Sequence, residues 1–161
     1  VSLRGVAGIH EEGILAHLAN RRAHNRRYLP PPSVLAVVLL LARIVATANV
    51  GDCPTLMLNA PVPAIRKVLA RAGLSVADID LWEINEAFAV VTEKAIRDLD
   101  LPRDKVNVNG GAMALGHPIG GTGSILIGTV LDELERTGGR YGLVTMCAAG
   151  GMAPAVIIER I

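Results

Sequence analysis

The sequence has 161 residues, a net charge of +1 and two cysteines. That length predicts a single domain, and the near-balanced charge gives no reason to expect nucleic acid or a membrane surface as a partner. Two cysteines far apart in sequence make neither a disulfide framework nor a zinc pattern, so a reducing compartment, the cytoplasm, is the expected location. Hydrophobic residues make up 51% and aromatic ones 2%, so the core must come from Ala, Val, Ile and Leu. Such side chains suit close packing of helices on a sheet.

The sequence opens on Val1 rather than Met, which fits a processed product or a piece of a longer chain. Residues 1–33 are basic, with Arg4, Arg21, Arg22, Arg26 and Arg27 against Glu11 and Glu12. Residues 11–27 have the makings of a helix that Pro30-Pro31-Pro32 would end, since proline removes a donor and disfavours helix in the residue before it. An arginine-rich start has something of a transit peptide, but the two glutamates and the scarcity of serine weigh against one. His10, His17 and His24 recur every seven residues. On a helix they would lie ~10 Å apart, too far to share a metal. The longest apolar run, residues 34–42, is nine residues, well short of the ~20 that span a bilayer.

From residue 34 the periodicity becomes orderly. Residues 34–50 read as a buried strand. Residues 61–72 read as a helix with apolar Val62, Ile65, Val68 and Leu69, prolines near its start and Gly73 at its end. A strand over 79–84, a helix over 87–99 and a short strand over 106–108 follow. Residues 122–136 read as a third helix with Ile125, Ile127, Leu131 and Leu134 apolar, closed by Gly138-Gly139. Two strands, 141–146 and 155–161, finish the chain around a glycine turn. The order β-α-β-α-β-α-β-β predicts an α/β fold, a mixed and mostly parallel five-stranded sheet with helices packed on it. The last two strands, joined by a short turn, are expected to pair antiparallel. The expected division is a basic segment over 1–33, irregular or helical, and a domain over 34–161.

In such sheets ligands gather beyond the carboxyl ends of the strands. Three polar clusters fall there. Asn85-Glu86 follows one strand, His117 lies in the glycine-rich stretch 110–123, and Cys147 leaves a strand into Ala148-Ala149-Gly150-Gly151. The histidine has glycines on both sides that permit close approach of a ligand; it can act as a base or donate to an oxyanion. A plain structural hydrogen bond is the alternative. Cys147 is either a small buried hydrophobe or a thiol that shuttles protons or attacks a carbonyl, with the free N–H groups of the following turn holding an anion. Asn85 can fix a water or a carbonyl oxygen, or, with Glu86, merely start a helix. Cys53, between Asp52 and Pro54, has no activating base nearby in sequence and reads as incidental. The glycine stretch lacks the phosphate-loop and dinucleotide patterns, which argues against a nucleotide enzyme.

Residues 85–89 (Asn-Glu-Ala-Phe-Ala), 107–123 (Asn-Val-Asn-Gly-Gly through Gly-His-Pro-Ile-Gly-Gly-Thr-Gly) and 147–152 (Cys-Ala-Ala-Gly-Gly-Met) together resemble the thiolases. These are the acetyl-CoA acetyltransferases and 3-ketoacyl-CoA thiolases. The resemblance covers residues 40–161, about three quarters of the chain, and corresponds to the C-terminal half of a protein more than twice this length. Residues 1–39 do not resemble the preceding thiolase segment. The resemblance implies acyl transfer between acyl-CoA and CoA or acetyl-CoA, with coenzyme A as substrate, no separate cofactor and no metal. It implies that His117 activates a nucleophilic cysteine of the N-terminal half and helps form an oxyanion hole. It implies that Asn85 holds a water completing that hole, and that Cys147 moves the α-proton of acetyl-CoA. Ala149 and Gly150 would lend backbone N–H groups to an oxyanion, and Gly116, Phe88 and Met113 would contact substrate.

Two departures from the family pattern matter. Ala148 and Ala149 stand where a bulky aliphatic and a glycine are usual, and Gly121 stands where alanine is common. If residue 149 must adopt positive φ, alanine there costs about 1 kcal/mol. The nucleophilic cysteine of the N-terminal half is not among the two cysteines here. Two readings therefore stay open: a catalytic half that works only with its partner half or as a homo-oligomer, or a non-catalytic thiolase-like domain that binds acyl-CoA or another protein. A ketoacyl synthase relative fits less well, because that group places histidine at the position of Cys147. A lone domain is expected to expose the apolar face that meets the other half, and so to self-associate.

Overall fold

The computed structural model describes residues 41–161, which form one compact unit. The expected helix over 11–27, the proline run, the three spaced histidines and the beginning of the first strand lie outside the described residues.

The sheet has four strands: β1 (Ala42–Gly51), β2 (Leu81–Ile84), β3 (Tyr141–Thr145) and β4 (Met152–Arg160). Their order across the sheet is β1-β4-β3-β2. β2 and β3 pair in parallel, while β4 is antiparallel to both its neighbours. The α/β class and the antiparallel pairing of the last two strands agree with the sequence reading. The mostly parallel, five-stranded sheet does not. β1, β2 and β3 share a direction, but β4 is inserted between β1 and β3 and turns two of the three pairings antiparallel.

The missing fifth strand has a local cause. Val106 makes a single parallel bridge to Trp82, and Asn107 then takes φ +50°, which ends any extended run. Asparagine tolerates that conformation better than most residues. Its side chain replaces the lost strand. Asn107 Oδ1 accepts from the Ile84 amide at 2.8 Å, and Nδ2 donates to the Ile84 carbonyl at 2.9 Å.

Among the described residues there are four α-helices: α1 (Pro61–Ala72) after β1, then α2 (Ala89–Leu99), a single turn α3 (Ala112–Leu115) and α4 (Thr122–Thr137) between β2 and β3. α1 begins on proline, whose missing N–H has no helical partner to lose, and ends at Gly73 with φ +67°. The sheet is covered on both faces. On one, α1 and α2 bury Val62, Ile65, Val68 and Val91 against Trp82, Ile84 and Ile157. On the other, α4 lays Leu126, Val130 and Leu134 over Leu81, Val144 and Ile158. The alternation along β2 serves both cores, as the two-residue strand period requires. In α4 the buried stripe runs 126-130-134, whereas Ile125 and Ile127, read as part of the apolar face, are exposed.

Because β1, β2 and β3 share a direction, their carboxyl ends lie along one edge. Asp52-Cys53, Asn85 and Cys147 leave the sheet there, and α3 and the glycine-rich stretch close over Asn85.

Candidate active site

Asn85 is the first residue past β2. Its amide donates to the Thr145 carbonyl at 3.0 Å and carries the β2–β3 ladder one step further. The side chain is fully buried, with Nδ2 3.3 Å from His117 Nε2, while Oδ1 has no protein partner. An unpaired buried acceptor costs about 1–3 kcal/mol, so this oxygen is held ready for a donor. A cavity of about 10 Å³ beneath the loop is lined by Asn85, Glu83, Gly110, Gly111 and Thr122, room for roughly one water.

His117 sits on an exposed loop but is held at both ring nitrogens. Nδ1 lies 2.8 Å from Thr122 Oγ1, and that hydroxyl donates to the Pro118 carbonyl at 2.9 Å. Thr122 is the buried first residue of α4. Sequence reading took it only as a helix start. Its mark in the sequence is a hydroxyl about one turn past a histidine–proline pair.

The loop between β2 and α4 is fastened from below. Glu86 accepts from Met113 N at 3.1 Å and from Asn107 Nδ2 at 3.3 Å. Gly111 packs so closely on that carboxylate that a Cβ there would stand 2.1 Å from Glu86 Cδ. Asn109 Nδ2 donates to Glu133 Oε2 at 3.0 Å, and Arg136 also pairs with Glu133. The Arg136 and Asn109 hydrogen bonds hold the Glu133 carboxyl at about 2. Glu86 is thus an anchor for the loop, not the helix cap that its position after a strand suggested.

Cys147 is buried at the end of β3, and that burial pushes its thiol above the ordinary range. Burial by itself therefore keeps the proton on the sulfur. Cys53 is exposed at the exit of β1, and backbone N–H groups of Leu56 and Thr55 pull its thiol down. Beyond Cys147 the chain turns back at Ala148, whose amide donates to Met152 O at 2.7 Å. Ala149, Gly150 and Gly151 make no backbone hydrogen bond through their N–H groups. Gly150 and Gly151 both take φ +78°, whereas Ala149 does not have positive φ. The strain considered for alanine at 149 therefore does not arise. Gly151 is pressed against the exit of β1: a Cβ there would lie 2.8 Å from the carbonyl oxygens of Asp52 and Cys53.

The structure thus joins Asn85 and His117 directly and puts Cys147 at the end of the adjoining strand. Phe88 and Met113, 60% and 71% exposed, present apolar surface on the loop and at the start of α2, and Gly116 closes the turn of α3. Among the described residues no cluster of histidine, cysteine and carboxylates could hold a metal ion, and no helix is long and apolar enough to cross a membrane. A nitrogen base, a buried unpaired amide oxygen and a turn of free N–H groups are the parts that acyl or enolate chemistry requires.

The family model described as thiolase, C-terminal domain, matches residues 38–160. The chain belongs to the thiolase family. The chain is 39% identical over 160 residues to a cytosolic acetyl-CoA acetyltransferase of Mus musculus, covering 99% of this chain, residues before 40 included, and 38% of that protein. It is 55% identical over 115 residues to the steroid 3-ketoacyl-CoA thiolase FadA6 of Mycobacterium tuberculosis, covering 71% of this chain and 28% of that one. The crystal structure of human mitochondrial 3-ketoacyl-CoA thiolase in complex with CoA superposes with a TM-score of 0.73 at 49% identity, over 74% of this chain and 30% of that one. This thiolase chain therefore spans well under half the length of the curated relatives it matches.

Proposed function

We propose that this domain supplies the histidine, asparagine and second cysteine of a thiolase active site that moves acyl groups between thioesters of coenzyme A. The observation that carries the reading is the Asn85–His117 contact, with Asn85 Oδ1 buried and unpaired beside it. His117 Nε2 takes the proton of a nucleophilic thiol, which attacks the acyl carbon and releases CoA. That thiol belongs to a part of the enzyme outside these 161 residues. Asn85 Oδ1 holds a water that, with the histidine, donates to the thioester oxygen.

Cys147, as thiolate, removes an α-proton from acetyl-CoA. The resulting enolate carbon bonds to the acyl carbon as its C–S bond to the enzyme breaks, giving 3-ketoacyl-CoA and the free nucleophile; thiolysis runs these steps backwards. The N–H groups of Ala149 and Gly150 hold the enolate oxygen. Burial raises Cys147, so the thiol starts protonated; it becomes the thiolate by giving its proton to the departing CoA sulfur, and the N–H dipoles then stabilise the enolate that forms as it takes up the α-proton. Phe88, Met113 and Gly116 line the path of the acyl-CoA. Coenzyme A is substrate and no separate cofactor takes part. Two free thiols support a reducing compartment, the cytoplasm, as the enzyme's location.

The test is thiolysis of acetoacetyl-CoA by free CoA, followed by loss of the enolate absorbance. The chain alone should give no turnover. Adding a separately produced thiolase segment that bears the nucleophile should restore it, and His117→Ala should lower the restored rate at least ~100-fold. Turnover by the chain alone that His117→Ala abolishes would locate the nucleophile within this chain, with Cys53 the first suspect. No rescue, together with retained acyl-CoA binding, would overturn catalysis in favour of a binding domain.

A further inference from the structure

His117 lies between two groups of opposite hydrogen-bonding character. The Thr122 hydroxyl has one proton, and it donates that proton to the Pro118 carbonyl at 2.9 Å. Only its lone pairs are left to face Nδ1 at 2.8 Å. At the other end of the ring Asn85 presents its NH₂ to Nε2 at 3.3 Å. A neutral imidazole has one donor and one acceptor nitrogen. The arrangement that satisfies both ends has the proton on Nδ1 and the lone pair on Nε2. The opposite tautomer would set Nε2–H against the amide N–H and would draw the Thr122 proton away from Pro118.

We infer that Thr122 is a positioning residue that fixes the tautomer of His117, so that the base nitrogen is always the one beside Asn85. The inference rests on the thiolase reading for its purpose and on hydrogen bonds alone for its substance. When Nε2 takes a proton from a thiol, the Nδ1–H already bonded to Thr122 gives the imidazolium a fixed second partner and the ring does not turn. Thr122 is suited to this because it is buried and sits on the first turn of α4, whose amides at residues 121 and 122 also converge on Pro118 O at 3.2 Å. Its own backbone and side chain are therefore set by the helix and not by the exposed loop.

Long-range ¹H–¹⁵N correlation of the imidazole in the full chain tests this without turnover. The expected wild-type spectrum of the neutral ring shows His117 protonated at Nδ1 and not at Nε2. Thr122→Val, which keeps the shape and removes the acceptor, should shift the ring towards Nε2–H or an exchanging mixture, and Thr122→Ser should restore the wild-type pattern. In the enzyme completed with its nucleophile-bearing part, Thr122→Val should lower kcat about 10- to 100-fold with KM nearly unchanged, the range for lost orienting partners of a functional histidine. Thr122→Ser should recover most of that loss. A wild-type ring protonated at Nε2 overturns the inference outright, even should the valine variant fail to fold. So does a valine variant with an unaltered tautomer. The Nδ1–H form in a chain that no partner renders active would instead overturn the thiolase reading and leave the lock standing.

Discussion

A carboxyl group enclosed in an apolar interior keeps its proton, and Glu83 does so at the floor of the site. It lies on the same face of β2 as Asn85 and lines the same small cavity. Burial, reinforced by the charges of Glu86 and Glu133, pushes its carboxyl from 4.5 to about 8. Between those pH values the folded chain holds a proton that the unfolded chain has released, so stability falls as pH rises through this window, by on the order of a few kcal/mol in all. Glu83→Gln keeps the shape and cannot ionise. Thermal unfolding at pH 5 and pH 9 should show the wild type losing roughly 5–10 °C more than the variant; parallel curves would overturn the assignment. Glu83 was not legible in the sequence, where it reads as one polar residue within a strand. Asn85, His117 and Cys147 stood out because each leaves a strand or sits among glycines. Glu83 and Thr122 act through what surrounds them, and only the fold supplies those surroundings.

At the scale of elements, the turn after Cys147 is built to touch the exit of β1. Asp52 N donates to Gly151 O at 2.7 Å, and Gly151 leaves no room for a side chain against the Asp52 and Cys53 carbonyls. Gly151→Ala meets both that crowding and a positive φ, and should cost ~2 kcal/mol or more. Chemical unfolding measures that loss, and an unchanged midpoint would show that the turn tolerates displacement. The helices were largely legible, because an apolar stripe and a glycine stop mark α1 from end to end. Two elements were not. Asn107 replaces a strand with its side chain, which periodicity does not register, and the phase of the α4 stripe depends on which of several neighbouring aliphatics the sheet accepts.

At the scale of the molecule, large apolar side chains accumulate on the outside of the described residues. Phe88, Val90, Met113, Leu115, Ile119 and Ile125 are all exposed. Exposed apolar surface on this scale favours association, so size-exclusion chromatography of the chain should show species larger than a monomer, shrinking when Met113 and Ile119 are replaced by serine. A single monomeric peak would overturn that expectation. The alternation of strands and helices made the α/β class legible from sequence alone. The place of β4 was not, because a hairpin to β3 can be read locally while its other partner, β1, lies a hundred residues away in the chain.

That distant pairing has a consequence for how the molecule comes into being. Among the described strands β1 pairs with β4 alone, from Ala42 opposite Arg160 to Gly51 opposite Met152. On a ribosome, β1 emerges on the order of a hundred residues before the strand it pairs with. Through that interval its edge stays open to other chains. The same loop closure lengthens refolding, since its entropy must be spent before the pairing gives any return.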